Sequence, residues 1–245
     1  MTDGRPENVL VLAPHPDDEV IGCGGTVIRH VANGSNVLVV YLTKGQGGVP
    51  GPEGESMAEQ RREEARAGLH QMGCSDAVFL DFPDRELYLN ARACSHALVD
   101  IMDRFKPTSV FVPFLIDEHP DHSATAWIFD RALGHADITP WCYLYEVWTT
   151  LVPNTVVDIS NTMEQKMRAL SEHKSQIQQF DYTKRVQGLN AFRSIYFDER
   201  IEYCEAFIKC QAAEYRRLVS KVKRKDFRTE NMAPAASGRI SYSDR

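Results

Sequence analysis

The stretch "VLVLAPHPDDEVIGCGG" (residues 9–25) changes character twice. Residues 9–13 form a short apolar run without alternation, the pattern of a strand covered on both faces. Pro14, His15, Pro16 and three successive acids, Asp17, Asp18 and Glu19, follow. The next residues, "VIGCGGTVIRHVANG" (20–34), read as a helix. The polar segment therefore sits in a strand-to-helix loop, at the carboxyl edge of a sheet. Three neighbouring acids repel one another, so a cation, a helix terminus or water must offset the cost. Helix capping, with Asp17 as N-cap and Asp18 and Glu19 near the positive end of the dipole, accounts for the acids. It does not account for His15.

Moving outward, "VLVVYL" (37–42), "AVFLDF" (77–82) and "SVFVPF" (109–114) repeat the strand pattern. Helical stripes separate them: Ala65, Leu69 and Met72 within 57–73, then Cys94, Leu98, Ile101, Met102 and Phe105 within 91–106. Strand and helix in alternation predict a Rossmann-like α/β fold, a mostly parallel sheet flanked by helices. Residues 141–148 and 155–159 read as two more strands, and 161–179 and about 199–225 as long helices. The Gly- and Pro-rich segment 45–55 predicts an irregular loop, either functional or a plain connector. Residues 1–228 are expected to form a single domain, with 229–245 a disordered tail. The basic stretch 216–228 reads as a solvated helix face.

Composition narrows the classes. A chain of 245 residues buries a useful core, and 43% hydrophobic with 25% charged residues is ordinary globular usage. The net charge of -6 offers no footprint for nucleic acid. No apolar run approaches the roughly 18 residues that cross a bilayer. The N-terminus lacks the basic start and apolar core of a secretory signal. Six cysteines without a CxxC pair predict reduced, buried thiols in a cytoplasmic protein.

A second polar cluster, "DEHPDHS" (117–123), follows the strand at 109–114 and repeats His-Pro-Asp. Loops after parallel strands open on one edge of the sheet, so the two clusters can face each other there. Two imidazoles and one carboxylate with an open position point to a catalytic zinc centre, and Fe(II) fits as well. Such an ion brings the pKa of its water near 7. Of two adjacent acids, one can reach the metal and the other the water. "GCGG" lacks the GxGxxG spacing of a dinucleotide site.

"PHPDDE" (14–19), "HPDH" (119–122) and their order resemble the zinc-dependent de-N-acetylases, a family that includes the N-acetylglucosaminyl-phosphatidylinositol, mycothiol-pathway and bacillithiol-pathway deacetylases. Weaker likenesses are "RREEARAGLHQMG" (61–73), "FPDREL" (82–87), "EQKMRAL" with "KSQ" (174–176), and "EAF" (205–207). The resemblance implies that His15, Asp18 and His122 hold the metal. It implies that Asp17 is the general base and later the acid. A charged His119 would stabilise the oxyanion, with Asp121 pairing to it. Glu19 would support the metal shell from the helix start. Spacing does not choose between Arg61 and Arg62; the resemblance favours Arg61 as a substrate-binding residue. Asp84 reads as structural, as do His30, His70, His96, His135 and His173, and Cys23 as a small packed thiol.

The expected function is hydrolysis of the N-acetyl group of an N-acetylglucosamine-type conjugate. The partner is then a small N-acetylated sugar, with no membrane or nucleic acid and with self-association left open. The alternatives are a metal-dependent sugar phosphoesterase and a carbohydrate-binding module with a structural metal.

Overall fold

The structure is a computed structural model that describes residues 6–178 and 181–226. The strands are β1 (Asn8–Ala13), β2 (Asn36–Thr43), β3 (Asp76–Phe82), β4 (Ser109–Pro113), β5 (Trp141–Tyr145), β6 (Thr155–Asp158) and β7 (Cys204–Gln211). The helices are α1 (Asp18–Ala32), α2 (Gly51–Gln71), α3 (Ala91–Phe105), α4 (Pro120–Leu133), α5 (Met163–Ser171), α6 (Lys174–Ile177), α7 (Tyr182–Arg193) and α8 (Ala212–Asp226).

The strands form one sheet in the order β3-β2-β1-β4-β5-β7-β6. The first five are mutually parallel, and β7 runs antiparallel to β5 and β6. Chain order turns back between β1 and β4. Loops leaving those two strands diverge and open a crevice at their carboxyl ends, where ligands of such sheets gather. Both His-Pro-Asp clusters lie there.

The pleat of β1 divides the core. Val9, Val11 and Ala13 pack beneath α1, α2, α5 and α7, whereas Leu10 and Leu12 face α3, α4 and α8. Both faces of the central strands are covered, which is why these runs carry no polar alternation. No helix among the described residues is long and apolar enough to cross a membrane. All six cysteines are free and buried.

Three expected elements are corrected. The helix expected over about 199–225 is strand β7 followed by α8. No glycine or proline separates the two, and Glu205, fully buried in the strand, disguised its apolar face. The helix expected over 161–179 breaks after Ser171, where His173 turns into the interior against Gly68. Residues 51–55 of the expected loop form the first turn of α2, with Pro52 in the opening position that tolerates proline. The tail 229–245 lies outside the described residues.

Glu205 joins the sheet to α1. Its carboxylate accepts the Gly25 and Thr26 N–H groups, each at 2.8 Å, and the buried Lys166 ammonium at 2.7 Å. Lys166 also donates to the Ile21 carbonyl and to Asn190. A charge pair thus enters the hydrogen-bond ladder of α1 one turn beyond the acidic loop and fixes its start against α5, α7 and β7.

Candidate active site

Asp18 opens α1, and its side chain folds back to accept the His15 N–H at 2.8 Å. The same oxygen, Oδ2, lies 3.0 Å from His15 Nδ1 and 3.3 Å from His122 Nε2. Those two nitrogens stand 3.3 Å apart. A tetrahedral ion with bonds of about 2.0–2.1 Å would hold its donors about 3.3–3.4 Å apart. Three donors of the right chemistry therefore lie at the spacing that such an ion requires.

Outer carboxylates decide which nitrogen each ring presents. His15 Nε2–H donates to Asp84 Oδ1 at 3.1 Å and Asp121 Oδ2 at 3.2 Å, leaving Nδ1 as the lone pair. His122 Nδ1–H donates to Asp117 Oδ1 at 3.1 Å, leaving Nε2. Such partners fix the tautomer and raise ligand basicity. Asp117 Oδ2 is itself anchored by the Trp148 and Thr149 N–H groups. His119 also brings a nitrogen within 4.8 Å of His15 and His122.

Charge follows geometry. Burial pulls His122 down, yet Asp18 and Asp117 outweigh it and raise its pKa to about 9. His15 is raised likewise, with Asp121 and Asp18 opposing the effect of burial. Burial would raise Asp18, but His122 and His15 hold it well below the usual carboxylate range. The cluster attracts positive charge at its centre.

Asp17 has φ 144°, a backbone region that few side chains adopt. The Glu19 carboxylate accepts its N–H at 3.2 Å, so Glu19 steadies the loop. The Asp17 side chain caps no helix. Its Oδ1 instead accepts Arg61 Nη2 at 3.1 Å. Arg61 is buried and also donates to the carbonyls of Gly45 and Pro16. Gly45 is needed here, because at φ 69° a Cβ would lie 2.8 Å from Pro16 and 2.9 Å from the guanidinium. Burial lifts the Asp17 pKa to about 7 against the pull of Arg61.

The expected pairing of His119 with the Asp121 carboxylate is corrected. Its Nδ1 accepts the Asp121 N–H at 3.2 Å, which leaves the ring proton on Nε2. Burial and the neighbouring His15 and His122 push its pKa down to about 4. The Asp121 carboxylate does not pair with it. That group accepts the Arg85 and Leu87 N–H groups and His15 Nε2. Asp84, read from sequence as structural, belongs to the same network. Asp117 passed unremarked, although an acid five residues before His122 was the available signal.

Residues 10–133 match the PIG-L family, described as GlcNAc-PI de-N-acetylase. The diacetylchitobiose deacetylase of Thermococcus kodakarensis is 30% identical over 188 residues, covering 69% of this chain and 70% of that protein. A probable N-acetyl-alpha-D-glucosaminyl L-malate deacetylase 2 of Bacillus cereus is 27% identical, covering 69% and 83%. The structure of N,N'-diacetylchitobiose deacetylase from Pyrococcus horikoshii, complexed with its inhibitor MPG, superposes with a TM-score of 0.73 at 26% identity, covering 84% of this chain and 85% of that one.

Proposed function

Since the chain belongs to the PIG-L family of de-N-acetylases, we propose that His15, Asp18 and His122 hold a zinc ion with which it hydrolyses the N-acetyl group of an N-acetylglucosamine-type conjugate. The observation that carries this reading is the convergence of His15 Nδ1, Asp18 Oδ2 and His122 Nε2 within 3.3 Å of one another, beside a buried carboxylate. When bound, the ion supplies Lewis-acid chemistry: a water pKa near 7 and a polarised acetyl carbonyl.

The protein's own groups do the rest. Asp17, with Oδ1 held by Arg61, takes the proton of the attacking water on its other oxygen and returns it to the departing nitrogen. His119 donates Nε2–H to the oxyanion of the tetrahedral intermediate, an interaction typically worth about 3–4 kcal/mol. It does so as a neutral donor, so the step needs no change in its protonation. Asp121, Asp84 and Asp117 orient the ligand imidazoles, and Arg61 positions Asp17. Six unpaired cysteines suit a reducing compartment, and we place the enzyme in the cytoplasm.

The test is metal-dependent acetate release. Protein stripped with chelator should release no acetate from N-acetylglucosaminides, and about one equivalent of zinc per chain should restore it. Phosphate release from sugar phosphates without any acetate release would overturn the reading.

A further inference from the structure

Beside the metal cluster lies a cavity of about 320 Å³, within the size range of small-ligand sites. One wall is Ile21, one turn along α1 from Asp18, with Val147 and Trp148 from the loop after β5. The other is α7, whose Tyr182, Val186 and Leu189 share one helical face. Trp148 joins the cavity to the reaction centre, standing edge-on to His119 with centroids 5.3 Å apart. Tyr182 lies close enough to Asp17 and Asp18 that burial and their charges lift its pKa to about 12.

The lining offers little to a hydroxyl-rich ligand. The Asn190 amide is engaged with Lys166 and the Cys204 carbonyl. The other polar groups of the lining are the Tyr182 hydroxyl, the Trp148 indole N–H and the exposed Arg185, set among Ile21, Val147, Val186 and Leu189. The walls are also locked together. Arg193 at the end of α7 donates to the buried Glu146 carboxylate and to the Leu151 carbonyl, while Leu151 N–H donates to Glu146. The cavity is therefore formed before any ligand arrives, which keeps the ordering cost of binding low. All its lining residues except Ile21 lie beyond residue 133, outside the segment that the family model matches.

We propose that this cavity receives the aglycone of the substrate, and that the aglycone is an apolar aryl or alkyl group rather than a second sugar or another polyol. The assignment rests on the deacetylase reading above. A polyol placed here would find partners for few of its hydroxyls beyond Tyr182, Trp148 and Arg185, whereas an aromatic ring would fill apolar space beside Trp148 and Leu189.

The experiment compares kcat/KM of the zinc-loaded enzyme, by acetate release, on methyl and phenyl N-acetylglucosaminides in both anomers and on diacetylchitobiose. The phenyl glycoside should exceed the methyl glycoside by about 10- to 100-fold, from burial of the ring. It should also exceed diacetylchitobiose. In L189E the phenyl-to-methyl ratio should fall towards one, while L189M should keep it. Equal rates on the phenyl and methyl glycosides, or a preference for diacetylchitobiose, overturn the aglycone assignment and leave the deacetylase reading standing. No acetate from any of the three overturns both.

Discussion

Arg61 donates through Nη2 to Asp17 Oδ1 at 3.1 Å, and both side chains are buried. The same guanidinium holds the carbonyls of Gly45 and Pro16, so it ties the loops after β1 and β2 around one carboxylate. A lysine keeps the charge but cannot span three acceptors with a planar fork. R61K should therefore lower kcat by about 10²-fold, the scale of a misplaced reacting group, with KM and zinc content little changed. A rise confined to KM would return Arg61 to the substrate-binding role that the sequence suggested.

Asp17 is the proposed proton carrier. D17N should keep stoichiometric zinc, because its carboxylate is not among the converging donors, and should lower kcat by roughly 10²–10⁴-fold. Metal analysis alongside steady-state kinetics checks both halves, and loss of zinc would move Asp17 into the ligand set.

The acids behind the histidines should affect affinity rather than occupancy alone. H122A removes a proposed ligand and should abolish zinc binding. D117A leaves the ring in place without its orienting acceptor, and should weaken zinc by about 10- to 100-fold. Competition with a chromogenic chelator separates the two, and unchanged affinity in D117A would show that the ring is held by packing alone.

The order of these residues in the chain explains what could be read from it. Apolar runs without alternation announced a parallel sheet, and His-Pro-Asp at two strand ends announced one site, because such strands deliver their loops to a common edge. Roles that depend on ring orientation were hidden. Asp84 reaches His15 across a separation of 69 residues, and Asp121 turned out to face His15 rather than its neighbour His119. The burial that lowers the His119 pKa is a property of the assembled site. Strand β7 was hidden for another reason: its buried charge makes sense only once Lys166 stands opposite.

That pair makes a stability prediction. Lys166 Nζ and Glu205 Oε1 lie 2.7 Å apart at 0% and 1% side-chain exposure. Removing one partner strands the other charge in the interior, a change that typically costs about 3–5 kcal/mol. K166M should lose about that much in urea unfolding. Replacing Glu205 as well should not restore stability fully, since the Gly25 and Thr26 N–H groups would then lack their acceptor. Full recovery in the double variant would mean that the helix closes its own ladder there.

His30 supplies a pH test remote from the metal cluster. It is 8% exposed near the far end of α1 and stands edge-on to Phe111, with centroids 5.8 Å apart. Burial lowers its pKa, helped by Arg29 and opposed by Glu7. The unfolded chain, with a histidine pKa of about 6.5, therefore binds more protons than the folded one between the two values. Stability then rises with pH across that window, and is lost as pH falls through the unfolded value towards the lowered one. His173, pushed down to about 3 by burial, has the same sign but is common to wild type and variant. The difference between H30Q and wild type thus isolates His30. Unfolding free energies at pH 5, 6 and 7 should rise less steeply in H30Q, and parallel slopes would show that His30 is protonated equally in both states.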